Sequence, residues 1–176
     1  MCGGQSKRMG TDKGLMPFEN TCRAAYMAAK LEAVGLPVVI SINPGQVESY
    51  GLVFEPDQLV VDALAIGGPL NGLLSVHLRY PEDDLLLLAC DMMNMQGETI
   101  NTLVSKYRQE PEFAFYVYQN EKFAEPFCGI YTGEGLHDLI EKRDFSNTSL
   151  QYVLNAGDTR RLPIFEAGSF ENHNSS

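Results

Sequence analysis

The chain is poor in basic residues. Lys and Arg total 13 against 23 Asp and Glu, a formal net charge of −10, and the cations are scattered rather than gathered into a stripe. Nucleic acids and anionic membranes require a concentrated cationic surface, so neither is an expected partner. Long apolar runs are also missing. The longest, among them Leu85 to Cys90, are six residues, against the roughly 20 that span a bilayer. No N-terminal apolar stretch has the form of a signal peptide. The expectation is a soluble, cytoplasmic protein.

Cysteine and histidine are sparse and dispersed. Cys2, Cys22, Cys90 and Cys128 form no Cys-x-x-Cys pair and have no His beside them, which argues against a zinc site or a disulfide scaffold and for reduced thiols. His77, His137 and His173 are equally far apart and make poor metal-ligand candidates. No Ser-His-Asp or Cys-His constellation suggests a side-chain nucleophile, and neither repeats nor low-complexity linkers divide the chain. What remains, 176 residues of which 44% are apolar, suits one domain with one substantial core.

Met1 to Pro17 is rich in glycine and charge and reads as a loop. Asn20 or Thr21 caps a helix through Cys22, Ala25, Tyr26 and Ala29 that ends at Gly35. Val38 to Ile42 reads as a strand stopped by Asn43-Pro44-Gly45, and Leu59 to Asp62 as a second strand tip. Gly67-Gly68-Pro69 opens a helix over Leu70 to Tyr80, with proline in the first turn, where its missing N–H costs nothing. Leu85 to Cys90 is apolar at every position, as a parallel strand covered on both faces requires. Beyond it come a helix at Gly97–Gln109, strands at Phe113–Tyr118 and Phe127–Tyr131, helices near Leu136–Lys142 and Thr148–Asn155, and a last strand around Leu162–Phe165. This alternation indicates an α/β fold, a three-layer sandwich about a Rossmann-like, mainly parallel sheet. Ligands of such sheets bind at the carboxyl ends of the strands.

Two segments carry chemistry there. The first is Cys2-Gly3-Gly4-Gln5-Ser6-Lys7-Arg8-Met9-Gly10-Thr11-Asp12-Lys13. Glycines let backbone N–H groups close on a phosphate while Arg8 and Lys13 neutralise charge, and the alternative is a flexible polar terminus. Lys-Ser or Lys-Thr does not follow Gly10, so this is not a Walker A loop, nor is it a dinucleotide fingerprint. The second is Asp91, a hard carboxylate at the end of the buried strand, suited to Mg²⁺. Asp83 and Asp84 lie about 20 Å away at the other strand end and read as a solvated edge rather than a second metal site.

The string G-G-x-S-x-R-M-G-x-D-K resembles the nucleotide-binding loop of the molybdenum cofactor guanylyltransferases, the MobA family, within the nucleotidyltransferase superfamily. The resemblance runs on through most of the chain. It implies the fold of nucleotide-diphospho-sugar transferases, with Mg-GTP and molybdopterin as substrates. By the same resemblance the nucleotide is held by Met1, Cys2, Gly3, Gly4, Ser6 and Lys13, by Ser41 and Asn43 at the second strand end, and by Asp62, Gly68 and Pro69. A carboxylate at Asp62 accepts two hydrogen bonds from guanine, separating it from adenine; capping the following turn is the other reading. Asp91 matches the family's metal ligand, although this chain has Met92-Met93-Asn94 where the family has proline two residues after the aspartate. Glu125-Pro126 is similar to a family segment, and Phe170-x-Asn172-x-Asn174-Ser175 resembles its Asn-x-Asn-Thr motif on the molybdopterin side.

The implied reaction is GMP transfer from Mg-GTP to the terminal phosphate of molybdopterin, with Arg8, Lys13 and Asp91 as the catalytic groups. A cytidylyltransferase, another small-molecule nucleotidyltransferase and a non-catalytic nucleotide-binding homologue are the alternatives. A monomer or a weak homo-oligomer is expected. A glycine loop of this type follows a central strand, yet only Met1 and Cys2 precede Gly3. An empty central slot would forfeit several buried side chains at roughly 1.5–3 kcal/mol each. Residues 1–176 are therefore expected to be a single nucleotidyltransferase domain lacking its first strand and its closing helix.

Overall fold

The apolar run at 85–90 organises the molecule. The computed structural model describes residues 1–2, 12–165 and 167–170, and among them Leu85–Leu88 forms β5, the fifth strand in chain order. It is preceded by a short antiparallel hairpin of β1 (Pro17–Phe18) and β2 (Thr21–Cys22), helix α1 (Arg23–Ala33), β3 (Ile40–Ile42), the single-turn α2 (Val47–Tyr50), β4 (Leu59–Val61) and α3 (Pro69–Arg79). It is followed by α4 (Gly97–Gln109), β6 (Phe115–Gln119), β7 (Ala124–Tyr131), α5 (Gly133–Lys142), α6 (Leu150–Ala156) and β8 (Thr159–Pro163).

β3 and β4 pair in parallel. The four-stranded sheet has the order β5-β7-β6-β8; β6 and β8 are parallel, and β7 runs against both of its neighbours. Side-chain alternation along each strand feeds two cores. Leu86, Leu88, Tyr116 and Tyr118 face Met27 of α1 and Ile100 and Leu103 of α4, whereas Leu85, Leu87, Phe115 and Val117 face α3, α5 and α6. A leucine buried on either face contributes about 1.5–3 kcal/mol, which is why the run cannot alternate with polar residues. The expected three-layer sandwich is present.

Apart from the unexpected β1–β2 hairpin and the single-turn α2, differences from the expected elements lie at their ends. The polar stretch after β6 is a hairpin turn: Asn120 Oδ1 accepts from the N–H groups of Lys122 and Phe123 at 2.9 Å each. β7 therefore starts at Ala124 rather than Phe127. The strand at 85–90 stops at Leu88 because Ala89 and Cys90 enter a turn closed by Met92 N–H on the Ala89 carbonyl at 3.3 Å. The last strand is Thr159–Pro163, displaced toward the N-terminus, and Pro163 ends it. The short β1–β2 hairpin falls where only loop and a helix start were expected.

Met1 and Cys2 lie between β3 and β5. The Met1 ammonium donates to the Leu88 carbonyl at 2.7 Å. Cys90 N–H donates to the Met1 carbonyl at 3.3 Å, and Cys2 N–H to the Ser41 carbonyl at 3.0 Å. Behind Met1 a cavity of about 420 Å³ separates Val38 and Val39 from Leu85–Leu88, with Leu31 and Leu73 on its walls. These contacts fix where the glycine-rich segment leaves the sheet, beside the ends of β3 and β5.

Candidate active site

The turn after β5 meets the segment after the glycine-rich loop. Asp91 stands in that turn, and Lys13 Nζ lies 3.5 Å from its Oδ2. Both side chains keep solvent access, 42% for Lys13 and 22% for Asp91. Among the described residues no group of three or more His, Cys, Asp or Glu could hold a metal ion. A lone accessible carboxylate is a poor zinc site. It does fit a hard divalent cation that takes one or two carboxylates and draws its remaining ligands from water and phosphate oxygens.

Asp12, next to Lys13 in sequence, faces the other way. Its Oδ1 accepts from Gly14 N–H at 2.9 Å and from the Tyr50 hydroxyl at 2.9 Å, and its Oδ2 from Gln46 Nε2 at 2.5 Å. Gln46 Nε2 also donates to the Cys2 carbonyl at 3.2 Å, and Gln46 Oε1 accepts from Asn43 N–H at 2.8 Å. Asp12 is thus a tie between the two ends of the glycine-rich segment and the turn after β3. Three of the carboxylate's roughly four acceptor sites are thus taken within the fold. Burial pushes the Tyr50 hydroxyl pKa up, keeping it a proton donor. Asn43 was expected against the nucleotide, and in the fold its Oδ1 caps the turn by accepting from Gly45 N–H at 2.9 Å.

Ser41 and Asp62 end the neighbouring strands β3 and β4. Ser41 is buried, and Ser41 Oγ and Asp62 Oδ1 are both buried without a hydrogen-bond partner. They flank Gly72 of α3: a Cβ there would stand 2.4 Å from Ser41 Oγ and 3.2 Å from Asp62 Oδ1. Such unpartnered buried groups cost about 1–3 kcal/mol each, and burial raises the Asp62 pKa. The turn-capping alternative for Asp62 fails, because Asn71 and Ser75 pin the following segment instead. Ser75 Oγ accepts from Ala63 N–H at 2.8 Å, and Asn71 bonds the N–H and carbonyl of Leu64 at 3.1 and 2.8 Å. Gly68 precedes α3 at φ 78°, ψ −177°, with Pro69 in the first turn. That conformation is essentially restricted to glycine.

At the start of the segment the Cys2 thiol pKa is lowered to about 7, chiefly by a hydrogen bond from Cys90 and further by the N-terminal ammonium, against the opposing effect of burial. The Cys90 thiol is pushed up by the same bond and by burial. The described residues therefore bring together Met1, Cys2, Lys13, Ser41, Asp62 and Asp91, with Asn43, Gly68 and Pro69 shaping the turns beside them. Gly3, Gly4, Ser6, Arg8, Asn172 and Asn174 lie outside the described residues. Asp84, read as a solvated edge, is exposed and also anchors a helix: its Oδ1 accepts from Gly133 N–H at 2.7 Å at the start of α5. Sequence reasoning missed Gln46 and Tyr50. A buried tyrosine needs a partner for its hydroxyl, which was the one available signal.

A family model for the MobA-like NTP transferase domain matches residues 1–159. The molybdenum cofactor biosynthesis bifunctional protein of Synechocystis is 30% identical over 132 residues, 75% of this chain and 38% of that protein's length. A probable molybdenum cofactor guanylyltransferase of Clostridium perfringens is 27% identical over 150 residues, covering 85% of this chain and 71% of its own. Among solved structures, molybdopterin-guanine dinucleotide biosynthesis protein A from Archaeoglobus fulgidus superposes with a TM-score of 0.76 at 15% identity, over 99% of this chain and 90% of its own. At that identity the superposition shows a shared fold.

Proposed function

The chain belongs to the family of MobA-like NTP transferase domains and is a nucleotidyltransferase, and we propose that it transfers GMP from GTP to the terminal phosphate of molybdopterin. A phosphate oxygen of molybdopterin forms the new bond to the α-phosphorus of GTP. The bond from that phosphorus to the β-phosphate bridging oxygen breaks, and pyrophosphate leaves. Such a transfer needs alignment and charge neutralisation more than a side-chain nucleophile.

The observation that carries the choice of guanine is the unpartnered buried carboxylate oxygen Asp62 Oδ1, which lies with the unpartnered Ser41 hydroxyl around Gly72. Guanine offers two adjacent donors, N1–H and the exocyclic amine, and a carboxylate accepts both. Adenine has no donor at N1, so it leaves an acceptor unsatisfied, a mismatch that a buried polar site rejects strongly. Lys13 supplies a cation beside Asp91 to offset charge moving onto the departing pyrophosphate, and Asp91 would hold Mg²⁺. The metal, when bound, supplies Lewis-acid stabilisation of the phosphate oxygens. In this reading Asp12, Gln46 and Tyr50 align the two ends of the glycine-rich segment, through which Gly3, Gly4, Ser6 and Arg8 would meet the triphosphate. Asn172 and Asn174 would serve the molybdopterin side.

Pyrophosphate release measured with GTP, CTP, ATP and UTP, each with and without molybdopterin, tests the proposal. Release with GTP that depends on molybdopterin is expected. Preference for CTP would reassign the base, and GTP binding without release would make the chain a non-catalytic homologue.

A further inference from the structure

The backbone after Asp91 is held by a side chain from another element. Two consecutive turns run through it, closed by Met92 N–H on the Ala89 carbonyl at 3.3 Å and Met95 N–H on the Met92 carbonyl at 2.9 Å. These turns leave the carbonyls of Met93 and Met95 as acceptors. Lys30, in the last turn of α1, donates its ammonium to both, at 3.0 Å for Met95 and closely for Met93. Gln96 Nε2 takes the Asn94 carbonyl between them at 2.8 Å. The ring of Tyr26, one helical turn back, lies 4.8 Å from Lys30 Nζ. Burial lowers the Lys30 pKa, while the ring face favours the charged form.

Packing alone does not fix the direction of this backbone. The side chains of Met92, Met93 and Met95 are buried in the core beneath it, but methionine is unbranched and adapts to irregular space. Position 93 has no ring to set φ, as a proline would have. Charge-assisted hydrogen bonds are directional and about twice as strong as neutral ones, and Lys30 directs two of them at the segment that carries Asp91. Helix α1 itself packs on the core through Met27 and Leu31 and does not depend on the ammonium. With both carbonyls to serve, Lys30 is committed to the backbone and is not a phosphate ligand.

We infer that Lys30 is the positioning residue for the Asp91 metal site: it clamps the Met93 and Met95 carbonyls and thereby sets the direction in which the Asp91 carboxylate meets the cation. The inference rests on the reading of Asp91 as a metal ligand. A misplacement of about 1 Å at a reacting centre costs on the order of 100-fold, so losing the clamp registers clearly.

The test uses the full chain and Mn²⁺ as the probe, with free Mn²⁺ read by electron paramagnetic resonance in the presence of GTP. Lys30→Met keeps the apolar stem and removes the charge. It should weaken Mn²⁺ binding about tenfold and raise the metal concentration for half-maximal turnover by the same factor. KM for GTP at saturating metal should stay within about twofold. Lys30→Arg, which offers N–H groups to the same carbonyls, should restore binding to within about threefold. In an Asp91→Asn background Lys30→Met should add no further loss. If Lys30→Met does not fold by circular dichroism, Lys30→Gln, with one donor group, replaces it and should show an intermediate loss. Unchanged Mn²⁺ binding in the Lys30 variants while Asp91→Asn abolishes it would overturn the clamp alone. Wild-type Mn²⁺ binding by Asp91→Asn would overturn the metal-ligand reading and the clamp with it.

Discussion

Asp62→Asn should change function and stability in opposite directions. In the free protein Asp62 Oδ1 is buried without a partner and its pKa is raised by burial, so the ionised carboxylate is a liability until a ligand satisfies it. A neutral amide of the same shape relieves the charge, and removing such a penalty recovers about 1 kcal/mol. For a domain of this size that raises Tm by roughly 2–4 °C. The sign with pH follows from linkage. A carboxyl with a raised folded pKa destabilises the fold once it ionises, and below the unfolded value of 3.8 it carries no penalty. The advantage of Asn over Asp should therefore be full above the raised pKa and vanish as pH falls through it. Toward GTP the effect reverses. An ionised carboxylate accepts both guanine donors, whereas Asn offers one acceptor and turns an N–H against a donor. Losing one charged hydrogen bond costs about 1.5–3 kcal/mol, roughly 10- to 150-fold in kcat/KM for GTP, and the ratio of GTP to ATP use should fall with it. The assays are thermal melts of the nucleotide-free protein from pH 4 to 8 and pyrophosphate release with each nucleotide. A variant with a lower Tm at neutral pH and an unchanged GTP/ATP ratio would refute the reasoning, leaving Asp62 a structural carboxylate.

Three further outcomes are expected. Lys13→Ala should cut turnover by about 100-fold, as removal of one charge-stabilising donor does elsewhere. Its melting temperature should stay close to wild type, because a solvent-accessible, only partly buried ion pair such as Lys13–Asp91 contributes little to stability; a marked fall in Tm with turnover intact would make Lys13 a structural residue. Gly68→Ala should cost about 1–3 kcal/mol of stability in chemical denaturation, since φ 78°, ψ −177° is strained for any side chain; an unchanged midpoint would mean that the turn before α3 adopts another conformation. Cys2, lowered to about 7, should alkylate with iodoacetamide at a rate that rises through that pH and then levels. Peptide mapping checks this, and a rate still climbing at pH 9 would show an ordinary thiol.

The parts of the fold legible in the sequence are those where one residue property decides the outcome. Leu85 to Leu88 are apolar at every position because α1 and α4 cover one face of β5 and α3 the other, and no partner identity is needed to read that. Strand direction was less accessible. β7 runs against its neighbours because a short polar turn at Asn120 folds it back on β6, and polarity alone does not separate a hairpin turn from a longer connection.

The site divides along the same line. Glycine, lysine and aspartate types mark the edge proposed to bind phosphate, but the orientation of the described side chains depends on partners distant in sequence. Asp12 and Lys13 illustrate the point. As a dipeptide they read as one polar unit facing a ligand, yet Tyr50 and Gln46 draw the carboxylate inward while the ammonium reaches the turn after β5, 78 residues on. Successive side chains in non-helical backbone diverge, so the pair acts as a divider, one residue closing the segment and the other entering the site. Asn43 separates from Ser41 for a different reason: β3 ends at Ile42, so Asn43 already belongs to the turn and caps it, whereas Ser41, inside the strand, stays buried with its hydroxyl unpartnered. A buried acceptor without a partner is invisible in sequence, because satisfaction is a property of neighbours. That is why resemblance alone could propose Asp62 for base recognition, while the unpartnered oxygens of Asp62 and Ser41 around Gly72 are visible only in the fold.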